Sequence, residues 1–259
     1  MQELRELSLA LVGLEAGGEA ATPAERLRAQ LEFARGAGCR GVQWNGVAAG
    51  MRARELDRSA RRDIAATLKR LELGFSGVDL FVPPEHFTSA ANQDRAISAV
   101  GDAVELAAEL AGLMGGRGGV VAVELPEKLA AEVRRALAEK CELSGVRLAD
   151  CAWRAGVERP GPGPLARGLD PAAVLMGGGD PAAEAARLGS SVACARLSDV
   201  SASGRVAAGS GRLDVLAYRV ALEVGGAMLP VVLDLRGVRE QGAGAKMAVV
   251  AWGGGGTNA

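Results

Sequence analysis

The sequence predicts an α/β fold, a (β/α)8 TIM barrel, and three observations carry that reading. Eight short apolar runs recur along the chain, separated by stretches with helical spacing. The last five carry an acid at or near their ends: VVAVEL has Glu124, GVRLAD ends on Asp150, LARGLD on Asp170, ACARLSD on Asp199 and VVLD on Asp234. The chain has 259 residues, near the usual size of one such barrel. A strand buried on both faces reads as a nearly continuous apolar run, so an acid at its C-terminal end has no packing reason to be there. In a (β/α)8 barrel all eight C-terminal ends converge on one face, where chemistry is built.

Each element follows in order. LSLALVGL is the first strand: it is short, follows Glu3, Arg5 and Glu6, and lacks the basic start and cleavage site of a secretion signal. Thr22, Pro23 and Glu25 supply a cap, a first-turn proline and the acid of a capping box, and Leu27, Leu31 and Ala34 form the buried stripe behind them. RGVQWN is the second strand, and Ile64, Leu68 and Leu71 mark the helix after it. LGFSGVDLFV is the third, ending at Pro83; beyond PPEHF comes the longest helix, with Ile97, Val100, Val104 and Ala107 on one face. VVAVEL leads through Pro126 into a helix with Leu129, Val133 and Leu137, and GVRLAD is the fifth strand. WRAGVERPGPGP follows, and its three prolines and three glycines predict that the helix between strands five and six is missing. Strand six is LARGLD, a helix starts at Asp180 and Pro181, strand seven is SVACARLSD, Leu213 to Val224 is helical, and LPVVLDL is strand eight. A single domain over 1–252 and a flexible tail over 253–259 complete the expectation.

Composition narrows the function. The 31 acids and 30 bases nearly cancel, so no basic surface suited to nucleic acid is expected. No run approaches the roughly 20 apolar residues that cross a bilayer, so no membrane partner is expected either. Cys39, Cys141, Cys151 and Cys194 show no CxxC pairing and read as reduced structural thiols of a cytoplasmic protein. GxGxxG at a strand–helix junction, the P-loop and the nucleophile elbow are all absent.

Period-two alternation turns Glu124, Asp150, Asp170 and Asp234 toward the mouth, with Arg196 as the one evident inward cation; Asp79, which alternates with Phe81 on strand three, is a further inward candidate outside that count. Four acids against one base require neutralisation by a divalent cation, a protonated acid acting as general acid, or a cationic substrate. Oxygen ligands would favour Mg²⁺ or Mn²⁺ over zinc.

PPEHF with DRAISAVGDAVELAAELAG, LDPAAVL after strand six, and ARLSDV with the later GSGRLD resemble the sugar phosphate isomerase/epimerase family, the xylose isomerase-like TIM barrels. The resemblance spans nearly the whole chain. It implies proton transfer next to the carbonyl of a small sugar, sugar phosphate or polyol derivative, with a divalent metal at the mouth. The family's metal ligands fall on Asp150, Asp170, Arg196 and Asp234. A guanidinium ligates no metal, and the two family glutamates have shortened to Asp150 and Asp234, each by about one methylene against a tolerance of roughly 0.2 Å. Catalytic roles then fall to Glu124, Asp150, Arg196 and His86, the sole histidine, held in a proline-stiffened loop where an imidazole can shuttle a proton. Gln43, Trp44, Asn45 and Phe81 would bind or stack on a sugar, and Arg212 in GSGRLD would sit beside amides suited to phosphate. The alternative is a catalytically degenerate barrel that binds a sugar-like ligand or a protein partner. A homo-oligomer stays open.

Overall fold

A computed structural model describes residues 6–16, 18, 22–116, 118–156, 163–227 and 230–253. Parallel strands β1 (Leu7–Ala10), β2 (Gly41–Asn45), β3 (Gly74–Asp79), β4 (Gly119–Val123), β5 (Val146–Asp150), β6 (Leu165–Leu169) and β7 (Val192–Leu197) are joined, after a hairpin of β8 (Asp199–Ser201) and β9 (Gly204–Val206), by β10 (Val231–Leu233). They close a barrel in the order β1-β10-β7-β6-β5-β4-β3-β2. The outer layer holds α1 (Pro23–Gly36), α2 (Arg58–Arg70), α3 (Gln93–Leu113), α4 (Ala131–Ser144), α5 (Pro171–Met176), α6 (Pro181–Leu188), α7 (Val215–Val224) and α8 (Gln241–Gly253).

Local chemistry sets the ends of these elements. Thr22 and Glu25 form the capping box of α1, with Pro23 in its first turn. Asp57, Asp180 and Asp214 cap α2, α6 and α7 through their side chains. Gly145 takes the left-handed conformation (φ 64°) that stops α4 and turns the chain into β5.

Strand alternation separates two apolar layers. Leu7, Leu9, Leu148, Leu169 and Leu233 face outward into the main core with the helices, whereas Ala10, Ala122, Ala149, Ala166, Cys194 and Val232 pack inside the barrel. Apart from Val232, these inner residues are smaller than the branched side chains that usually fill such a barrel. Trp44 belongs to the outer core: it is fully buried and its Nε1 donates to the Met51 carbonyl at 2.8 Å, so it does not face the mouth as a sugar platform would.

Asp150 also faces outward, which corrects the expected register. Its neighbours Ala149 and Cys151 are the inward residues of that segment. Asp150 pairs with Arg167 (2.9 Å) and Arg154 (3.0 Å) and accepts from the Leu125 and Ala152 amides. Residues 151–156 and 163–164 contain no helix, and 157–162 lie outside the described residues. The Asp150 ion pairs stand on the outer face of β5 and β6, where a helix would otherwise bring apolar cover. The hairpin β8–β9 and helix α8 went unforeseen; α8 runs through Gly253, one residue into the segment expected as a tail, and 254–259 lie outside the described residues. Among the described residues no helix is long and apolar enough to cross a membrane.

Candidate functional site

Asp79 at the end of β3, Asp170 after β6, Arg196 on β7 and Asp234 after β10 converge inside the mouth, each at most 5% exposed. Arg196 stands at their centre. Its Nη2 lies 2.7 Å from Asp79 Oδ2, and its Nη1 lies 3.3 Å from Asp234 Oδ2 and 4.0 Å from Asp170 Oδ2. The Tyr218 hydroxyl donates to the Arg196 carbonyl at 3.1 Å and steadies the strand from behind.

Two further arginines complete the cluster. Arg205 of β9 reaches Asp170 at 2.6 Å and Asp234 at 3.6 Å, and Arg236, two residues past Asp234, forks onto that carboxylate with Nε at 3.0 Å from each oxygen. Within the buried cluster three acids therefore meet three arginines, which corrects the expectation that Arg196 is the one inward cation. Arg205 and Arg236 are the outer members, with side chains 23% and 29% exposed. Sequence reasoning missed both; the only signal for Arg236 was its i+2 spacing from Asp234, which puts it on the same strand parity.

The donor set does not fit a divalent ion. The space between Asp79, Asp170 and Asp234 is filled by the Arg196 guanidinium, a permanent cation with no lone pair to give. Asp170 is committed as the cap of α5, accepting from the Ala172 amide at 3.1 Å and from the Ser198 hydroxyl. Among the described residues no group of three His, Cys, Asp or Glu side chains is arranged to hold a metal. The inward residue at the end of β5 is Cys151, so Asp150 does not join Asp170 and Asp234.

Burial pushes Asp234 up to about 7, aided by Asp170 and Asp79 and opposed by Arg196 and Arg205. Burial raises Asp79 as well, against the pull of Arg196. For Asp170 burial acts upward, but Arg205, Arg196 and the Ser198 hydrogen bond outweigh it and the carboxyl ends below its usual range. A group that holds its proton more tightly when folded stabilises most below its unfolded value, here 3.8, and that stability is lost as pH rises through about 7. Asp170 acts with the opposite sign, only as pH falls below 3.8. The urea midpoint of the parent is accordingly expected to fall between pH 5 and 8, and Asp234→Asn to flatten that slope. A parent midpoint that stays level across this window would contradict the assignment.

The other expected site residues are dispersed. Glu124 lies one residue past β4 on its inward parity and is exposed, with no ion pair among the described residues. Gln43 is fully buried inside the barrel, donating to Cys194 Sγ at 3.4 Å. Asn45 Oδ1 accepts from the Val47 and Ala48 amides, both at 3.1 Å, and shapes the turn after β2. Phe81 is 61% exposed and lines, with His86, Arg54, Arg95 and Asp102, a groove beside α3. His86 makes none of the contacts of the Arg196 cluster. The segment GSGRLD is a tight turn leading into α7, and its amides are already occupied: fully buried Asp199 accepts from Val200, Gly209, Gly211, Arg212 and Leu213 at 2.7–3.1 Å, an internal anion in the place a phosphate could have taken. The Arg212 side chain turns to the Leu175 carbonyl at 3.4 Å.

No protein-family model matches the chain, and no curated protein matches it. Solved structures do. A xylose isomerase domain protein from Planctomyces limnophilus superposes with a TM-score of 0.70 at 16% identity, covering 96% of each chain. A sugar phosphate isomerase/epimerase from Parabacteroides distasonis gives 0.66 at 14% identity over 95% of this chain and 96% of that one. A xylose isomerase-like TIM barrel protein from Mycobacterium smegmatis, in complex with magnesium, gives 0.66 at 13% identity over 96% of each. With eight parallel strands closed in this order and a mouth built from β3, β6, β7 and β10, the chain has the fold of the xylose isomerase-like TIM barrels.

Proposed function

We propose that this chain binds a small sugar derivative at the barrel mouth and moves a proton next to its carbonyl, as an isomerase or epimerase, with a guanidinium where a metal would otherwise stand. The observation that carries the reading is Arg196 at the centre of Asp79, Asp170 and Asp234. Proton abstraction beside a carbonyl needs a base, positive charge near the developing enediolate oxygen, and an acid to return the proton. Glu124 offers the base, being the mouth acid without an arginine partner among the described residues. Arg205 and Arg236, partly exposed, offer the charge and favour a substrate with an anionic or enolisable oxygen, such as a sugar phosphate or sugar acid. Asp234, raised to about 7 by burial, can give or take a proton near neutral pH. The sugar phosphate isomerase/epimerase of the same fold supports the reaction class.

A second reading, a barrel that binds without turnover, is favoured by one observation: Asp79, Asp170 and Asp234 all sit in ion pairs that substrate would have to loosen. One experiment separates the two. Ketoses, aldoses, their phosphates and sugar acids are incubated with the chain in heavy water with a chelator, and loss of the carbon-bound proton is followed by NMR. Exchange that persists under chelation is expected. Line broadening of a sugar without exchange supports the binding barrel, and exchange only on adding Mg²⁺ or Mn²⁺ overturns the metal-free assignment.

A further inference from the structure

We propose that Cys151 and Cys194 form a hydroperoxide-reactive dithiol inside the barrel, in which Cys194 is oxidised and Cys151 resolves it to a disulfide. Cys194 sits on the inward face of β7 and Cys151 faces inward just past the end of β5, with β6 between the two strands. The intervening inward residue is Gly168, whose Cα is the register partner of Cys194. Its missing side chain is what brings the sulfurs together: a Cβ there would collide with Cys151 Sγ and lie 3.0 Å from Cys151 Cα. Across that gap each thiol shifts the ionisation of the other, raising Cys151 and lowering Cys194, while the Cys151 thiol donates to the Ala149 carbonyl at 3.7 Å. Both are free thiols, 3% exposed.

Access comes from the face opposite the mouth. A cavity of about 330 Å³ opens between the starts of β3, β4, β7 and β10 and reaches Cys194, Ala193, Val120 and Val232. The small inner layer of alanines leaves this passage open, where branched residues would fill it. Its volume accommodates hydrogen peroxide, and the mouth side is closed by Arg196, two residues beyond Cys194 on the same strand face. The Gln43 amide donates to Cys194 Sγ at 3.4 Å, while its Oε1, fully buried, has no protein partner in the described residues. That oxygen can accept from a peroxide hydroxyl or from the sulfenic acid.

The chemistry balances. The Cys194 sulfur attacks one peroxide oxygen, the O–O bond breaks, and Cys194–SOH and water result from H₂O₂. The Cys151 sulfur then displaces the sulfenic hydroxyl, which leaves as water with the Cys151 proton, giving one disulfide from two thiols and one peroxide. Cys39 and Cys141 serve as internal controls. Both lie in the outer core with the helices, outside the lining of this cavity, and burial pushes their thiols up to about 12 and about 11.

The test treats the folded parent with equimolar hydrogen peroxide, quenches in acid, alkylates in denaturant and maps tryptic peptides without reduction. Two of the four thiols are expected to disappear, with peptide 148–154 linked to peptide 188–196. Cys151→Ser is expected to leave a sulfenic acid on Cys194 that dimedone captures. Four free thiols after treatment, or Cys194 oxidised in the parent without the link, would overturn the proposal. A link that forms only after prior unfolding in urea would do the same, and these parent readouts stand even if the serine variant does not fold.

Discussion

Arg196→Ala is expected to cost the folded chain about 3–5 kcal/mol at pH 7, the usual penalty for removing one partner of a buried ion pair. The loss is large because Arg196 serves three acids at once and none can reach water: Asp79, Asp170 and Asp234 are 5%, 5% and 3% exposed. Arg236 approaches Asp79 only at 3.8 Å, so Asp79 loses its one close cation. Arg205 and Arg236 still hold Asp170 and Asp234, which keeps the cost within that range. Lowering the pH should recover part of it, since the stranded carboxyls then escape by protonation. Urea unfolding at pH 7 and pH 5 measures both effects. A loss below about 1 kcal/mol at pH 7 would mean that the guanidinium is a replaceable filler.

The strands and most helices were legible because burial on both faces and helical spacing are local properties. Thr22, Pro23 and Glu25 announced α1, and the acids at strand ends announced the mouth. What failed was what depends on one residue of register or on partners far apart in sequence. Asp150 ends its strand as the other acids do, yet one residue decides its face, and Cys151 takes the inward place instead. Arg205 comes from a three-residue strand, too short for periodicity to reveal, and it meets Asp170 35 residues away. Asp199 looked like a loop acid beside a separate glycine turn; only the fold shows that the carboxylate fills that turn. Helix α8 has little amphipathic contrast, being rich in alanine and glycine, so no stripe betrayed it.

In the exchange assay Glu124→Gln is expected to slow loss of the substrate proton by roughly 10² to 10⁴, the usual worth of a positioned general base. The amide keeps the size of the side chain and cannot take a proton. Because Glu124 is exposed and free of ion pairs among the described residues, the substitution should change stability by no more than about 0.5 kcal/mol, so lost rate cannot be ascribed to unfolding. Asp234→Asn should instead leave the first abstraction measurable and weaken return of the proton to oxygen, slowing conversion of one sugar isomer to the other more than exchange itself. His86→Ala is the discriminating comparison. Its side chain lines the α3 groove with Arg54 and Arg95, so exchange should be unchanged. Were His86→Ala to abolish exchange while Glu124→Gln did not, the proton route would run past that groove, and the arginine-filled mouth would be a structural clamp holding the strands around it.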